Sequence, residues 1–345
     1  MTNALAHKLL EHVMAGGETS SRLSVIGLCK NAGKTVTLNH LIRAAAAQAI
    51  PLGLVSTGRD GEEQDAITEL PKPRIWAPVG AWVATARGAL SAGTAEVGVF
   101  RELPMSTPFG PVVVGRIERE GEVLLIGPGS VSRIGDLLGG LEAYGARLSL
   151  VDGSFDRIAA AAPSVTGRVV LAAGAAFSAS MAETVAQVRH VLDVFDLPTV
   201  PVHLEVVTKA PVTIVYENGG TNEVAVPSAL GDPEPIAAAL DERPGYLALN
   251  GALGDRLLMT LLRRRPPLLG VIVADPTRIL VDRNLWRRWR RQGGVAFVRR
   301  PVRLLAVTTN AYSPVGPDYP AREFFDAVNN VANRPVFDLQ AGFPE

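Results

Sequence analysis

The sequence predicts an α/β protein with a mainly parallel sheet flanked by helices. Three observations carry that expectation. Short apolar segments of strand composition alternate with helical stretches from residue 22 to the end of the chain. The composition is 47% hydrophobic and 20% charged, which suits a large core and argues against disorder. The first apolar strand also runs into a glycine-containing turn and then a helix, the local order of a parallel βα unit.

A length of 345 residues suits one large or two medium domains. A division into an N-terminal domain at 1–200 and a C-terminal α/β domain at 201–345 is expected, because the texture becomes β-rich after Pro201. Lys plus Arg and Asp plus Glu both number 34, so no net field draws the chain to nucleic acid or membrane. Cys29 is the sole cysteine, which excludes an intrachain disulfide and fits a reducing compartment. Residues 1–17 carry Lys8 and Glu11 and lack the apolar core of a signal peptide. No uncharged apolar run reaches the roughly 18 residues of a membrane span. The expectation is a soluble, cytoplasmic protein.

In chain order, Leu5, Leu9, Leu10 and Val13 recur at helical spacing over residues 3–14. Strand 22–27 leads through a loop to an Ala-rich helix over 35–50, ended by Pro51. A buried strand at 51–57 follows, and then the charged loop 58–65. A helix is expected at 80–90. Strands at 95–103, 111–118 and 122–127 form an antiparallel excursion. The Gly-Pro-Gly-Ser turn at 127–130 opens a helix to residue 143, with Ser130 or Ser132 as its cap. A strand at 147–152, a strand at 169–172 and a helix at 178–194 follow, with His190 on that helix as a structural group. Beyond Pro201, strands at 202–207, 212–217 and 223–226 surround an Asn218-Gly219-Gly220 hairpin turn. Helices at 234–241, 252–263, 278–292 and 321–331 alternate with strands at 246–250, 268–274, 304–309 and 335–339.

The chemistry concentrates at Gly27-Leu-Cys-Lys30-Asn31-Ala32-Gly33-Lys34-Thr35. Strand, glycine turn, Gly-Lys-Thr and helix form a phosphate-binding P-loop. Gly33 lets backbone approach a phosphate, and Gly27 opens the turn. Lys34 supplies a cation for the β/γ-phosphates, Thr35 a hydroxyl for Mg²⁺, and the helix from Val36 onward turns its N–H groups to the same place. Lys30 adds a second cation, and Asn31 and Ala32 shape the crest. Arg147 to Asp152 is the second strong feature: an apolar strand ending in a carboxylate that can hold a metal's water shell, with Gly153 leaving room beside it. A helix-capping role is the alternative for Asp152, and Asp156 is the second carboxylate. In the loop at 58–65, Asp60 is a candidate metal ligand and Arg59 a phosphate or partner contact; a solvated turn is the alternative. The arginines of 278–292, with Trp286 and Trp289, fit a protein-contact face or plain surface with inward-packed Trp better than a nucleic-acid site. Asn310 ends a strand and either faces a ligand or makes an Asx turn. The five His residues show no ligand spacing.

The spacing Gly27-x5-Gly33-Lys34-Thr35 is one residue longer than the common P-loop and resembles the dethiobiotin-synthetase-like branch of P-loop NTPases. Together with Val36 to Asn39, Ser56-Thr-Gly-Arg-Asp-Gly-Glu62, Asp65, Val307-Thr-Thr-Asn-Ala-Tyr-Ser-Pro314 and Phe337-Asp-Leu, it resembles the reactivase subunit of adenosylcobalamin-dependent lysine 5,6- and ornithine 4,5-aminomutases. That resemblance implies an ATPase subunit using ATP and Mg²⁺, with a MutS-like ATPase partner, that exchanges damaged cobalamin out of the mutase. Lys34, Asp152 and Asp60 would then serve the reaction, and Thr35, Asp60 and Asp152 the metal. Some relatives place an extra loop lysine across a homodimer interface; Lys30 stands at a different distance from Lys34 than in that pattern. The alternatives are a dethiobiotin-synthetase-like ligase or kinase acting on a small molecule, and a structural subunit that binds nucleotide without hydrolysing it.

Overall fold

The computed structural model describes residues 4–15, 20–57, 75–153, 158–241, 243–264 and 268–344. Helix α1 (Ala4–Met14) precedes β1 (Ser21–Gly27) and α2 (Lys34–Ala47). Then come β2 (Leu52–Ser56), β3 (Ile75–Ala77), β4 (Trp82–Ala86), β5 (Glu96–Thr107), β6 (Gly110–Arg119) and β7 (Gly121–Val123). Next are α3 (Val131–Ala143), β8 (Leu148–Asp152), β9 (Arg168–Gly174) and α4 (Met181–Phe195). A middle stretch holds β10 (Val212–Tyr216), β11 (Thr221–Glu223), α5 (Glu234–Ala239), β12 (Gly245–Leu249), β13 (Leu253–Gly254) and α6 (Asp255–Arg264). It continues through β14 (Leu268–Val273), β15 (Ile279–Leu280), α7 (Arg283–Arg291) and β16 (Val295–Val298). The chain closes with β17 (Arg303–Asn310), α8 (Ala321–Asn329) and β18 (Val336–Phe337). Among the described residues no helix is long and apolar enough to cross a membrane.

Two compact units result: residues 1–189 with 303–345, and residues 190–302. The division expected at residue 200 is therefore corrected. Residues 303–345 do not stay with 201–302 but supply two strands to the first sheet. The reason is register: β17 pairs in parallel with β9 from Arg303–Arg168 to Asn310–Gly174, a long-range pairing that local texture does not reveal.

The first unit holds a nine-stranded sheet in the order β18-β17-β9-β1-β8-β2-β4-β6-β5. Pairing is parallel from β18 to β4 and antiparallel from β4 through β6 to β5. The first two strands of the antiparallel excursion expected from the sequence, β5 and β6, thus form an edge of the main sheet, whereas the third is the short β7, which pairs antiparallel with β3 in a separate two-stranded sheet. Both faces of its centre are covered, which is why these strands read as continuous apolar runs. Alternate residues serve opposite cores. Leu54 and Leu150 join Leu5, Leu9, Leu38, Leu41 and Ile42 of α1 and α2. Val55 and Val151 meet Ile134, Leu137, Leu138 and Leu141 of α3 on the other side. Arg168 is buried, donates to Ser21 Oγ at 3.0 Å, and donates again to the Val13 carbonyl in the last turn of α1.

Two local expectations fail here for tertiary reasons. The helix expected at 80–90 is instead β4 followed by a 3-10 turn at Arg87–Ala92. Its Ala-rich composition favours helix, but β4 is hydrogen-bonded on both edges, to β2 and β6, and that pairing overrides propensity. Ser130 occupies the N-cap of α3, yet its side chain does not cap the helix; its hydroxyl meets Ser132 Oγ at 3.0 Å.

The second unit has the sheet order β11-β10-β12-β14-β16. Strands β12, β14 and β16 are parallel, and β10 pairs antiparallel with β11 across the expected turn, where Gly219 adopts φ 83°. The strand expected at 202–207 is only a 3-10 turn at Val202–Leu204. Pro201 lacks an N–H for a ladder, and Val202 and Val207 stand exposed. Strand β16 was not anticipated. Helix α7 starts at Arg283 rather than 278, because Asp282 caps it, accepting from Asn284 N at 2.8 Å and Leu285 N at 3.2 Å. Trp286 and Trp289 are buried with ring centroids 5.1 Å apart. The inward-packed alternative for these Trp residues holds, and Arg287, Arg288, Arg290 and Arg291 face out.

His190 sits 6.4 Å from the Trp286 ring, edge to face. Burial pushes its pKa below the ordinary value, against the opposing effects of the Val281 backbone, Asp193 and Asp282; Arg283 adds to the lowering. The folded-state pKa lies below the unfolded one, so the unfolded chain takes up the proton first. Stability is therefore expected to be full above pH 6.5 and to fall as the pH drops below it. His190→Gln should flatten this dependence between pH 6.5 and 5, read as thermal midpoint against pH; an unchanged slope would refute the assignment.

Candidate functional site

The site is assembled where β1 ends. Gly27 closes the strand, residues 28–33 turn, and α2 begins at Lys34. Two residues set the turn's shape. Asn31 has φ 59° and Gly33 has φ 101°, both in the left-handed region. Gly33 is also confined sterically: a Cβ there would approach Asn310 Cβ to 2.9 Å. Glycine is therefore required at 33 by conformation and by space. The helical ladder starts only at Thr37 N, which donates to Gly33 O at 2.9 Å. The N–H groups of Lys34, Thr35 and Val36 precede that bond, in the first turn, where the helix dipole is positive.

Lys34 folds back over its own loop. Its Nζ donates to the Cys29 carbonyl at 3.1 Å. Its side chain crosses Gly27 so closely that a Cβ at 27 would lie 2.9 Å from Lys34 Cγ. The first glycine of the motif therefore makes room for the motif's own lysine. Thr35 and Val36 are half-buried, Ala32 is buried, and Lys30 and Asn31 stand exposed on the crest. Cys29 lies inside the turn, and burial pushes its thiol up to about 11, with the Lys34 charge pulling the other way.

Neighbouring strands bring in the remaining groups. Strand β1 lies between β8 and β9. Asp152, the last residue of β8, is in register with Val25 of β1 and Ser56 of β2. It is half-buried, and its backbone oxygen accepts from Thr57 N at 3.0 Å and Ser56 Oγ at 3.3 Å. A carboxylate thus ends the strand beside the one that feeds the loop, as the sequence pattern requires. Gly153, next in the chain, lies close against β1. A Cβ there would sit 3.0 Å from the Val25 carbonyl, so the glycine serves packing against β1.

On the other flank, Leu28 N donates to Ala172 O of β9 at 3.1 Å, carrying the pairing one residue past β1. Gly174, where β9 ends, abuts the loop; a Cβ there would fall 2.6 Å from Ala32 Cα. Asn310 donates to the Asn31 carbonyl at 3.4 Å and accepts from Tyr312 N at 3.3 Å. It therefore makes the expected Asx turn and also touches the loop. Gly174 was missed in the sequence, and its only signal was a glycine at a strand's carboxyl end.

The structure brings together Gly27, Lys30, Asn31, Ala32, Gly33, Lys34, Thr35 and Val36 in one turn, with Asp152 on the adjacent strand. The loop at 58–65, with Arg59 and Asp60, lies outside the described residues, as does Asp156. Strand β2, which leads to that loop, is not the neighbour of β1, because β8 stands between them. Comparison with known family models, curated proteins and solved structures finds no match for this chain.

The Cys29 thiol should stay protonated near neutral pH. Iodoacetamide modification at pH 8 is expected to run roughly tenfold or more below that of an unhindered thiol, and to rise as the pH approaches 11. A rate already maximal at pH 8 would contradict the burial of this group.

Proposed function

We propose that this chain binds ATP with Mg²⁺ at the turn Gly27–Thr35 and acts as an ATP-hydrolysing subunit. One observation carries the reading. The left-handed turn at Asn31 and Gly33 gathers the Lys34 ammonium and the first N–H groups of α2 on one loop, beside a strand that ends in Asp152. Backbone N–H groups and an ammonium at a helix N-terminus form a phosphate cradle. Lys34 already spans its loop to a carbonyl, and a phosphate oxygen is a stronger acceptor for the same ammonium. Its role is to neutralise charge on the β/γ-phosphates as the terminal phosphoryl transfers.

The donor chemistry fits Mg²⁺. A Thr35 hydroxyl and an Asp152 carboxylate are hard oxygen ligands, of the kind this ion takes together with water and phosphate. Among the described residues no group of three His, Cys, Asp or Glu forms an all-protein cage. Thr35 and Asp152 would hold the ion, with Asp60 as the third candidate, and when bound it would neutralise developing charge on the phosphates. Arg59 and Lys30 would add cations at the rim.

The resemblance of the motifs at 27–39, 56–65 and 307–314 supports a finer reading. On it, the subunit works with a MutS-like ATPase partner to promote exchange of damaged cobalamin from an aminomutase. ATP would act by binding one conformation of the assembly better than another.

Lys34→Ala should abolish ATP binding by titration calorimetry, weakening it on the order of 100-fold or more. Asp152→Ala should retain binding and lose Mg²⁺-dependent turnover. Lys34→Ala that bound ATP like the parent would remove the site assignment. For the finer reading, the purified chain should show an ATPase rate that changes when an inactivated aminomutase and its partner ATPase are added; a rate indifferent to both would leave the ligase or kinase alternative standing.

A further inference from the structure

We infer that Asn310 is a positioning residue for the phosphate loop, and that with Gly174 it forms the floor that holds the loop in its phosphate-accepting shape. The inference rests on the nucleotide reading above.

Asn310 and Gly174 are register partners at the carboxyl ends of β17 and β9. Both touch the loop crest, at successive points. Gly174 is fitted against Ala32, and Asn310 against Gly33 and the Asn31 carbonyl. Between them they meet three consecutive residues that include both left-handed positions. Asn31 is a non-glycine residue at φ 59°, a conformation that persists where surrounding contacts hold it. The Asn310 amide supplies one such contact, by donating to the carbonyl of that residue. A further tie lies just behind it, where Thr37 and Thr308 hydroxyls meet at 2.7 Å, joining the first turn of α2 to β17.

Asn310 is itself held from below. Its side-chain oxygen accepts from Tyr312 N, so the amide nitrogen is directed at the loop rather than free to rotate. The segment beyond is closed on itself: Tyr319 N donates to Ala311 O at 2.9 Å, and Ser313 N to Asp318 at 2.7 Å. The Tyr319 hydroxyl then meets Thr184 at 2.9 Å and donates to the Ser178 carbonyl. The C-terminal 43 residues that return to the first unit therefore carry the brace for a loop about 280 positions earlier in the chain.

The test uses the full chain and three variants. Asn310→Asp keeps the acceptor for Tyr312 N but loses the donor to Asn31 O. Asn310→Ala loses both, and Gly174→Ala pushes on Ala32. Titration of ATP with Mg²⁺ should show Asn310→Ala and Asn310→Asp each weakened on the order of tenfold. Thermal midpoints without nucleotide should stay near the parent's in both Asn310 variants and fall in Gly174→Ala, where the added Cβ meets backbone. Hydrogen exchange of residues 28–33 without nucleotide should speed up in all three variants. Asn310→Asp with parental affinity would reduce the residue to its turn and overturn the inference. So would unchanged exchange at 28–33 in Asn310→Ala, whatever its affinity. A parent chain that fails to bind ATP sinks the nucleotide reading itself, a result separate from either of these.

Discussion

The site depends on a backbone conformation that most side chains resist. A turn with two left-handed residues must be held between the end of a strand and the start of a helix. Glycine removes the steric cost at residue 33, and at residue 31 asparagine lowers it, since its short polar side chain tolerates the left-handed region better than most. The surrounding groups are arranged to hold that turn. Ala32 is pressed against Gly174, Gly33 against Asn310, and the Lys34 side chain lies across Gly27 to reach the Cys29 carbonyl. Close packing of this kind favours one loop shape over others, and the proposed phosphate site requires a fixed shape for its N–H groups to converge.

The parallel sheet supplies the platform. Its central strands are covered by α1 and α2 on one face and by α3 on the other, so their loops are pinned by two cores. In an open parallel sheet the carboxyl ends of neighbouring strands lie side by side, which is where such proteins bind ligands. Here β8, β1, β9 and β17 are consecutive neighbours. Asp152, the loop, Gly174 and Asn310 follow one another along that edge for this reason. Strand β2 lies one strand further out, beyond β8.

Much of the site was legible because its requirements are local. Gly33, Lys34 and Thr35 sit at fixed offsets from a strand and a helix, and an Asp at a strand's tip is a contiguous pattern. The roles of Gly27, Gly153 and Asn310 were only partly legible. Gly153 and Asn310 have partners remote in sequence, the Val25 and Asn31 carbonyls, and Gly27 makes room for a Lys34 stem whose fold-back over the loop no spacing rule states. Gly174 carried no recognisable motif at all. The helix expected at 80–90 shows the same limit, since Ala-rich propensity gave way to pairing on two edges.

The sequence by itself determined the α/β class, the strand–turn–helix with its Gly-Lys-Thr, the antiparallel excursion and the apolar strand ending in Asp152. These follow from periodicity and turn chemistry, which act over a few residues. Only the tertiary structure decided that residues 303–345 rejoin the first sheet, that β8 rather than β2 flanks β1, and that a residue near position 310 braces a loop near position 31. Strand order and long-range contacts arise from how whole elements bury their faces together, and no short window of residues encodes that choice.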